Sequence, residues 1–147
     1  MTDTPHGLPE GIPTRIHRLE IPAGDASRTL DLVAPADPDA YLDDPTIRQR
    51  YHADNYMPYW PIIWPSGLML ASRILFESAC PPALPPPPTP ARVIELGCGL
   101  GASGIAAGLR GWQVTFTDYD HQAVRFAAHN ALRNGIPADR VRALYMD

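Results

Sequence analysis

The sequence predicts an α/β fold on a parallel sheet, and three observations carry that prediction. Residues 92–96 are a short, β-branched-rich apolar run that feeds directly into Gly97-Cys98-Gly99-Leu100-Gly101. Such runs are typical of strands buried in parallel sheets. Residues 102–110 are mostly small or aliphatic, so a helix there can lie close on a sheet, with Gly111 placed to end it; residues 112–117 then alternate as a second strand closed by Asp118. The pattern continues with a helix over 121–134, a loop at 137–139 and a third strand over 141–146. Strand and helix alternating in this way is the order of βαβ units.

Composition bounds the rest. At 147 residues the chain has room for one ordinary domain with a core, and 45% hydrophobic with 19% charged residues is the profile of a soluble globular protein. A net charge of -4 argues against nucleic acid as an electrostatically captured partner. Arg125, Arg133, Arg140 and Arg142 lie near one another in sequence and read as a solvated helix face and strand start. Two cysteines, Cys80 and Cys98, are too few for a disulfide framework, which points to a reducing cytoplasm. The N-terminus lacks the basic start and apolar core of a secretory signal. The most apolar stretch, residues 60–76, is broken by Pro61, Pro65 and Arg73, so no membrane span is expected. Five histidines show no ligand spacing; His121 and His129 are eight apart on one helix, too far to share a metal, so no metal site is expected.

The chain divides into an N-terminal portion, residues 1–55, and a Rossmann-like portion, residues 56–147. Residues 1–13 read as a loose tail. Residues 15–21 and 28–33 alternate as two strands of a β-hairpin, with a longer loop over 22–27. Residues 34–45 are an acidic, proline-punctuated connector with one helical turn near 38–42, and residues 46–52 suit a short helix. Residues 55–67 are dense in aromatics and prolines, which rules out a regular helix. Ser66 is then placed to cap a helix over 68–79, whose apolar stripe is Leu68, Ala71, Leu75 and Ala79 with Ile74 beside it. Arg73 and Glu77 are spaced to pair on its surface. Residues 80–90, with four consecutive prolines at 85–88, read as a stiff connector. Asp120 caps the helix over 121–134, whose inner face is Val124, Ala127, Ala128, Ala131 and Leu132.

The glycine loop admits two ligands. Gly99-x-Gly101-x-x-Gly104 satisfies the dinucleotide fingerprint, and Asp118 lies where a ribose-binding acid should follow, so a nicotinamide oxidoreductase domain is one reading. Glu95 opposes it, because a carboxylate two residues before the first glycine would repel a pyrophosphate. A ligand with a cationic end and no phosphate tolerates that acid. Glu95-Leu-Gly-Cys-Gly-Leu-Gly101 resembles the first motif of the class I (seven-β-strand) S-adenosylmethionine-dependent methyltransferases. Trp64 followed by Pro-Ser-Gly and a helix is similar to the segment before that motif in the seven-β-strand lysine methyltransferases and their bacterial relatives.

The resemblance covers roughly residues 56–147 and implies the following roles. S-adenosyl-L-methionine is the cofactor. Asp118 accepts hydrogen bonds from its ribose hydroxyls, Glu95 supports the loop and the amino-acid end, Gly97, Gly99 and Gly101 keep side chains out of the way, and Asp147 faces the adenine. Tyr119 is placed to pack on adenine, and Trp64 lies beside the cofactor. The methyl acceptor is a protein side chain such as lysine, or a small molecule, and no catalytic residue is identified, since the Asp-x-x-Tyr motif of the lysine enzymes is absent. In the family, strand one lies at the centre of a seven-stranded sheet, whereas this sequence supplies three central strands. The expectation is therefore an α/β, Rossmann-like class I methyltransferase sheet, truncated after the third central strand, with an N-terminal β-hairpin and helical extension. Two further readings follow: a non-catalytic or truncated cofactor-binding fragment, or a chain whose sheet is completed by a partner.

Overall fold

The computed structural model describes residues 7–8, 11–23, 26–41, 43, 45–76 and 91–146. The sequence-predicted connector at 80–90, the end of the helix expected over 68–79, the Arg73–Glu77 pair and Asp147 fall wholly or partly outside them. Two sheets are present among the described residues. Strands β1 (Thr14–Ala23) and β2 (Ala26–Pro35) form an antiparallel pair, and β3 (Arg92–Leu96), β4 (Gln113–Asp118) and β5 (Val141–Tyr145) form a parallel sheet in the order β3-β4-β5.

The hairpin is tighter than the sequence predicts. Pairing runs through Pro22↔Ser27 to Ala23↔Ala26, so the expected loop over 22–27 is mostly strand. Proline lacks a ladder donor, but among the described residues β1 has a strand on one side only, where Pro22 is tolerated. After β2, Asp37 accepts the backbone N–H groups of Asp39 and Ala40 and nucleates a 3₁₀ turn at Asp39–Tyr41. Helix α1 (Pro45–Asp54) ends at Asn55, which takes the left-handed conformation that asparagine tolerates (φ 57°). Helix α2 (Pro65–Phe76) begins earlier than expected: Leu68 N–H donates to the Trp64 carbonyl, so Ser66 is inside the first turn and does not cap it. Pro65 occupies the first helical position, where its missing N–H costs nothing.

Parallel register pairs Glu95 with Phe116 and Phe116 with Ala143. Helices α3 (Ala102–Leu109) and α4 (His121–Arg133) provide the crossovers. Asp120 caps α4 as the sequence predicts, accepting the Gln122 N–H at 2.7 Å. Phe116 from the sheet, Ile105 from α3 and Val124 and Phe126 from α4 are fully buried, and Ile21, Leu30 and Leu32 of the hairpin join the same cluster. Phe126 was absent from the predicted inner face of α4; its burial comes from packing against the N-terminal segment, where Trp60 lies 5.2 Å away ring to ring.

Strand β3 has two unlike faces. Val93 packs on the core and Glu95 faces α3, while Ile94 and Leu96, alternating to the other face, are 55% and 67% exposed. No described helix is long and apolar enough to cross a membrane.

Candidate functional site

A cleft of about 710 Å³ opens at the C-terminal ends of β3 and β4, where open α/β sheets hold their ligands. Its floor is the loop between β3 and α3, in which Gly97, Gly99 and Gly101 all have positive φ (62°, 51° and 84°). A side chain at Gly99 would also be crowded, since its Cβ would come within 3.1 Å of the Trp60 carbonyl. The aromatic segment thus packs its backbone against the loop.

Asp118 braces this loop. One carboxylate oxygen accepts the Gly99 N–H at 2.9 Å and the other accepts the Asp120 N–H at 2.9 Å. Carboxylate oxygens have lone pairs for more than one donor each, so both retain acceptor capacity toward the cleft. Glu95 works from beneath. Its carboxylate accepts the Gly104 N–H at 2.9 Å, and burial pushes its pKa up to about 7 despite that bond and those from Ser103; the Asp118 charge adds a smaller upward push. The third glycine of the fingerprint has a packing role here: a Cβ at Gly104 would lie 2.6 Å from the Glu95 carboxylate and would meet the Phe116 ring. Cys98, in the loop, is buried, and burial raises its thiol well above the ordinary range.

The other wall comes from the aromatic segment, with α1 packed behind it. Tyr56 is buried and donates its hydroxyl to the Asp120 carboxylate; burial, then this partner, raise its pKa. The Arg50 guanidinium lies 3.6 Å over the Tyr56 ring and 5.1 Å from that of Tyr119. Tyr119 donates its hydroxyl to Asp54 at 2.7 Å, which holds the Asp54 carboxyl below its usual value. Trp64 is half exposed, meets Tyr59 edge-on at 6.2 Å and donates its indole N–H to the Tyr59 carbonyl at 3.3 Å.

The cleft therefore brings together Trp64, Glu95, Gly97, Gly99, Gly101, Asp118 and Tyr119, seven of the residues singled out from sequence; Asp147 lies outside the described residues. Its charged lining residues are all acids: Glu95, Asp118 and Asp120. The sequence does not single out Tyr56 as a lining residue, nor Arg50 and Asp54 behind it. The bonds from Tyr56 to Asp120 and from Tyr119 to Asp54 span 64 and 65 residues, which no local pattern encodes. Asn130, on α4, was also missed, although a polar residue one turn from Ala127 on an otherwise apolar face was visible.

A family model described as Ribosomal protein L11 methyltransferase (PrmA) matches residues 87–146. A zebrafish (Danio rerio) electron transfer flavoprotein beta subunit lysine methyltransferase is 44% identical over 54 residues, 37% of this chain and 18% of that protein. The Xenopus laevis protein of the same name is 44% identical over 54 residues, 37% of this chain and 19% of its own length. A ribosomal protein L11 methyltransferase of Parasynechococcus marenigrum (strain WH8102) is 46% identical over 57 residues, 38% of this chain and 20% of its own. The matched stretch spans about a fifth of these relatives. Residues 87–146, the part matched by the family model, contain the glycine loop, the acid at the end of β4 and both crossover helices, and this part of the chain is similar to class I, S-adenosylmethionine-dependent methyltransferases.

Proposed function

We propose that this chain provides the S-adenosyl-L-methionine-binding part of a methyltransferase that modifies a protein side chain, lysine foremost. The observation that carries the reading is the charge of the cleft. Every charged side chain lining it among the described residues is a carboxylate, around a loop of left-handed glycines. These carboxylates disfavour a pyrophosphate, whereas an ammonium and a sulfonium are attracted and ribose hydroxyls find acceptors. The residues present thus fit S-adenosylmethionine and disfavour a nicotinamide dinucleotide.

When bound, the cofactor supplies a methyl group activated on a sulfonium. The chain's own part is to hold and orient. Asp118, already fixed by two backbone N–H groups, offers its remaining lone pairs to the ribose hydroxyls. Glu95 steadies the first turn of α3 and lies toward the amino-acid end. Gly97, Gly99 and Gly101 let the backbone approach, Tyr119 packs at the adenine side, Asp147 is the further acid assigned to the adenine, and Trp64 walls the cleft. Residues 56–147 form this unit, with residues 1–55 as its N-terminal addition. A lysine acceptor must lose its proton before attack, and positioning beside the sulfonium supplies much of the remaining rate. Protein acceptors are favoured because the similar proteins are named for lysine and ribosomal-protein methylation.

A competitive titration tests the reading. S-adenosylhomocysteine should bind and NAD should not; the reverse result would replace the methyltransferase reading with the oxidoreductase one. Asp118→Ala should weaken S-adenosylhomocysteine by about 1.5–3 kcal/mol, the scale of hydrogen bonds to a charged group. Unchanged affinity in a folded variant would remove Asp118 from the site.

A further inference from the structure

We infer that Asn130 is a positioning residue that ties the N-terminal hairpin to the glycine loop, so that the loop's geometry depends on a strand pair outside the parallel sheet. Its consequence for cofactor binding rests on the function proposed above; the coupling itself rests on hydrogen bonds.

Among the described residues, strand β2 pairs with a strand, β1, on one side only. On its other side, Asp31 and Val33 present their backbone groups to α4, and two asparagines meet them. The Asn130 carboxamide oxygen accepts the Val33 N–H at 2.8 Å, and its amide nitrogen donates to the Val33 carbonyl at 3.0 Å. Asn134 repeats this at Asp31, accepting its N–H at 3.0 Å and donating to its carbonyl at 2.8 Å. The fit follows from elementary geometry. Four residues of α-helix rise about 6 Å, and two residues of strand span about 6.6 Å. Asparagines one turn apart therefore imitate a neighbouring strand.

Asn130 does one thing more. Its second amide proton goes to the Leu100 carbonyl at 3.1 Å, in the glycine loop between Gly99 and Gly101. Fully buried, with its acceptor and both donors engaged, the carboxamide fits in one orientation only. A carboxylate there would set oxygen against two carbonyls, and an apolar side chain would leave three buried backbone groups unpaired. Asn134 touches the hairpin and the Asn130 carbonyl, but no group of the loop. The two asparagines thus separate loop support from hairpin support.

The experiment compares Asn130→Ala with Asn134→Ala in the full-length protein, reading amide hydrogen exchange and affinity for S-adenosylhomocysteine. Asn130→Ala should speed exchange at the Gly99 and Gly101 amides and weaken binding at least tenfold. Asn134→Ala should speed exchange at Asp31 while leaving affinity within threefold. Equal effects of the two variants on the loop amides, or unaltered affinity in folded Asn130→Ala when the parent binds, would overturn the inference. If Asn130→Ala does not fold, Asn130→Ser carries the same comparison. A parent protein that fails to bind S-adenosylhomocysteine refutes the cofactor reading alone, and the exchange comparison still decides the coupling.

Discussion

Strands β2 and β3 each lack a strand neighbour on one side among the described residues, yet their surroundings differ. The free side of β2 is buried under α4, and Asn130 and Asn134 saturate the backbone groups of Asp31 and Val33. Strand β3 has no such cover, and Ile94 and Leu96 stand exposed. Unpaired strand edges with apolar side chains invite pairing or aggregation. Side chains can close a sheet edge as a strand would, provided that they are buried and their spacing matches. On the opposite face of β3, Glu95 lies under the first turn of α3.

The sharpest break of this contrast is Asn130→Leu. It leaves the Val33 N–H and the Val33 and Leu100 carbonyls buried without their partner, and a loss of about 3–5 kcal/mol is expected in urea unfolding. A loss below about 1 kcal/mol would show that the asparagine ladder is not what closes β2. Next in size is Glu95→Gln. Because the folded protein raises this carboxyl from 4.5 to about 7, the folded state holds the proton more tightly than the unfolded chain. The group imposes no penalty below its unfolded pKa, and its destabilisation grows as pH rises to about 7 and is complete above it. Wild type and Glu95→Gln should therefore match in stability near pH 4, with the variant ahead by about 2–3 kcal/mol at pH 8. A constant difference across that range would contradict a titrating, buried Glu95. The same titration predicts that S-adenosylhomocysteine affinity in wild type rises between pH 6 and 8, since its ammonium favours the charged carboxylate, and that this rise is absent in the variant. Smallest is Leu96→Lys on the open face: stability of the 147-residue chain should change by less than about 0.5 kcal/mol. Its self-association, followed by sedimentation, should fall; unaltered self-association would clear this face of β3.

Legibility from sequence followed the range of the interaction. The glycine loop, the acid ending β4 and the small-residue helix α3 declare themselves within thirty residues, and they matched the structure to within a residue or two. Trp64 lines the cleft, whereas Ser66 does not cap α2, because proline at the first helical position and serine at the cap are rival start signals. The contacts that tie Tyr56 to Asp120 and Asp54 to Tyr119 are not legible locally, as each crosses from the N-terminal segment to the far end of β4.

By itself the sequence determined the βαβαβ order, the Asp120 cap and the carboxylate character of the cleft, because periodicity, capping and residue type are local properties. Tertiary structure alone decided the tight hairpin register, the raised pKa of Glu95 and the role of Asn130. Desolvation depends on what covers a group, and the bonds from Asn130 to Val33 and Leu100 span 97 and 30 residues of chain. No local pattern encodes a partner at that separation; only the packing of α4 between hairpin and loop brings the three together.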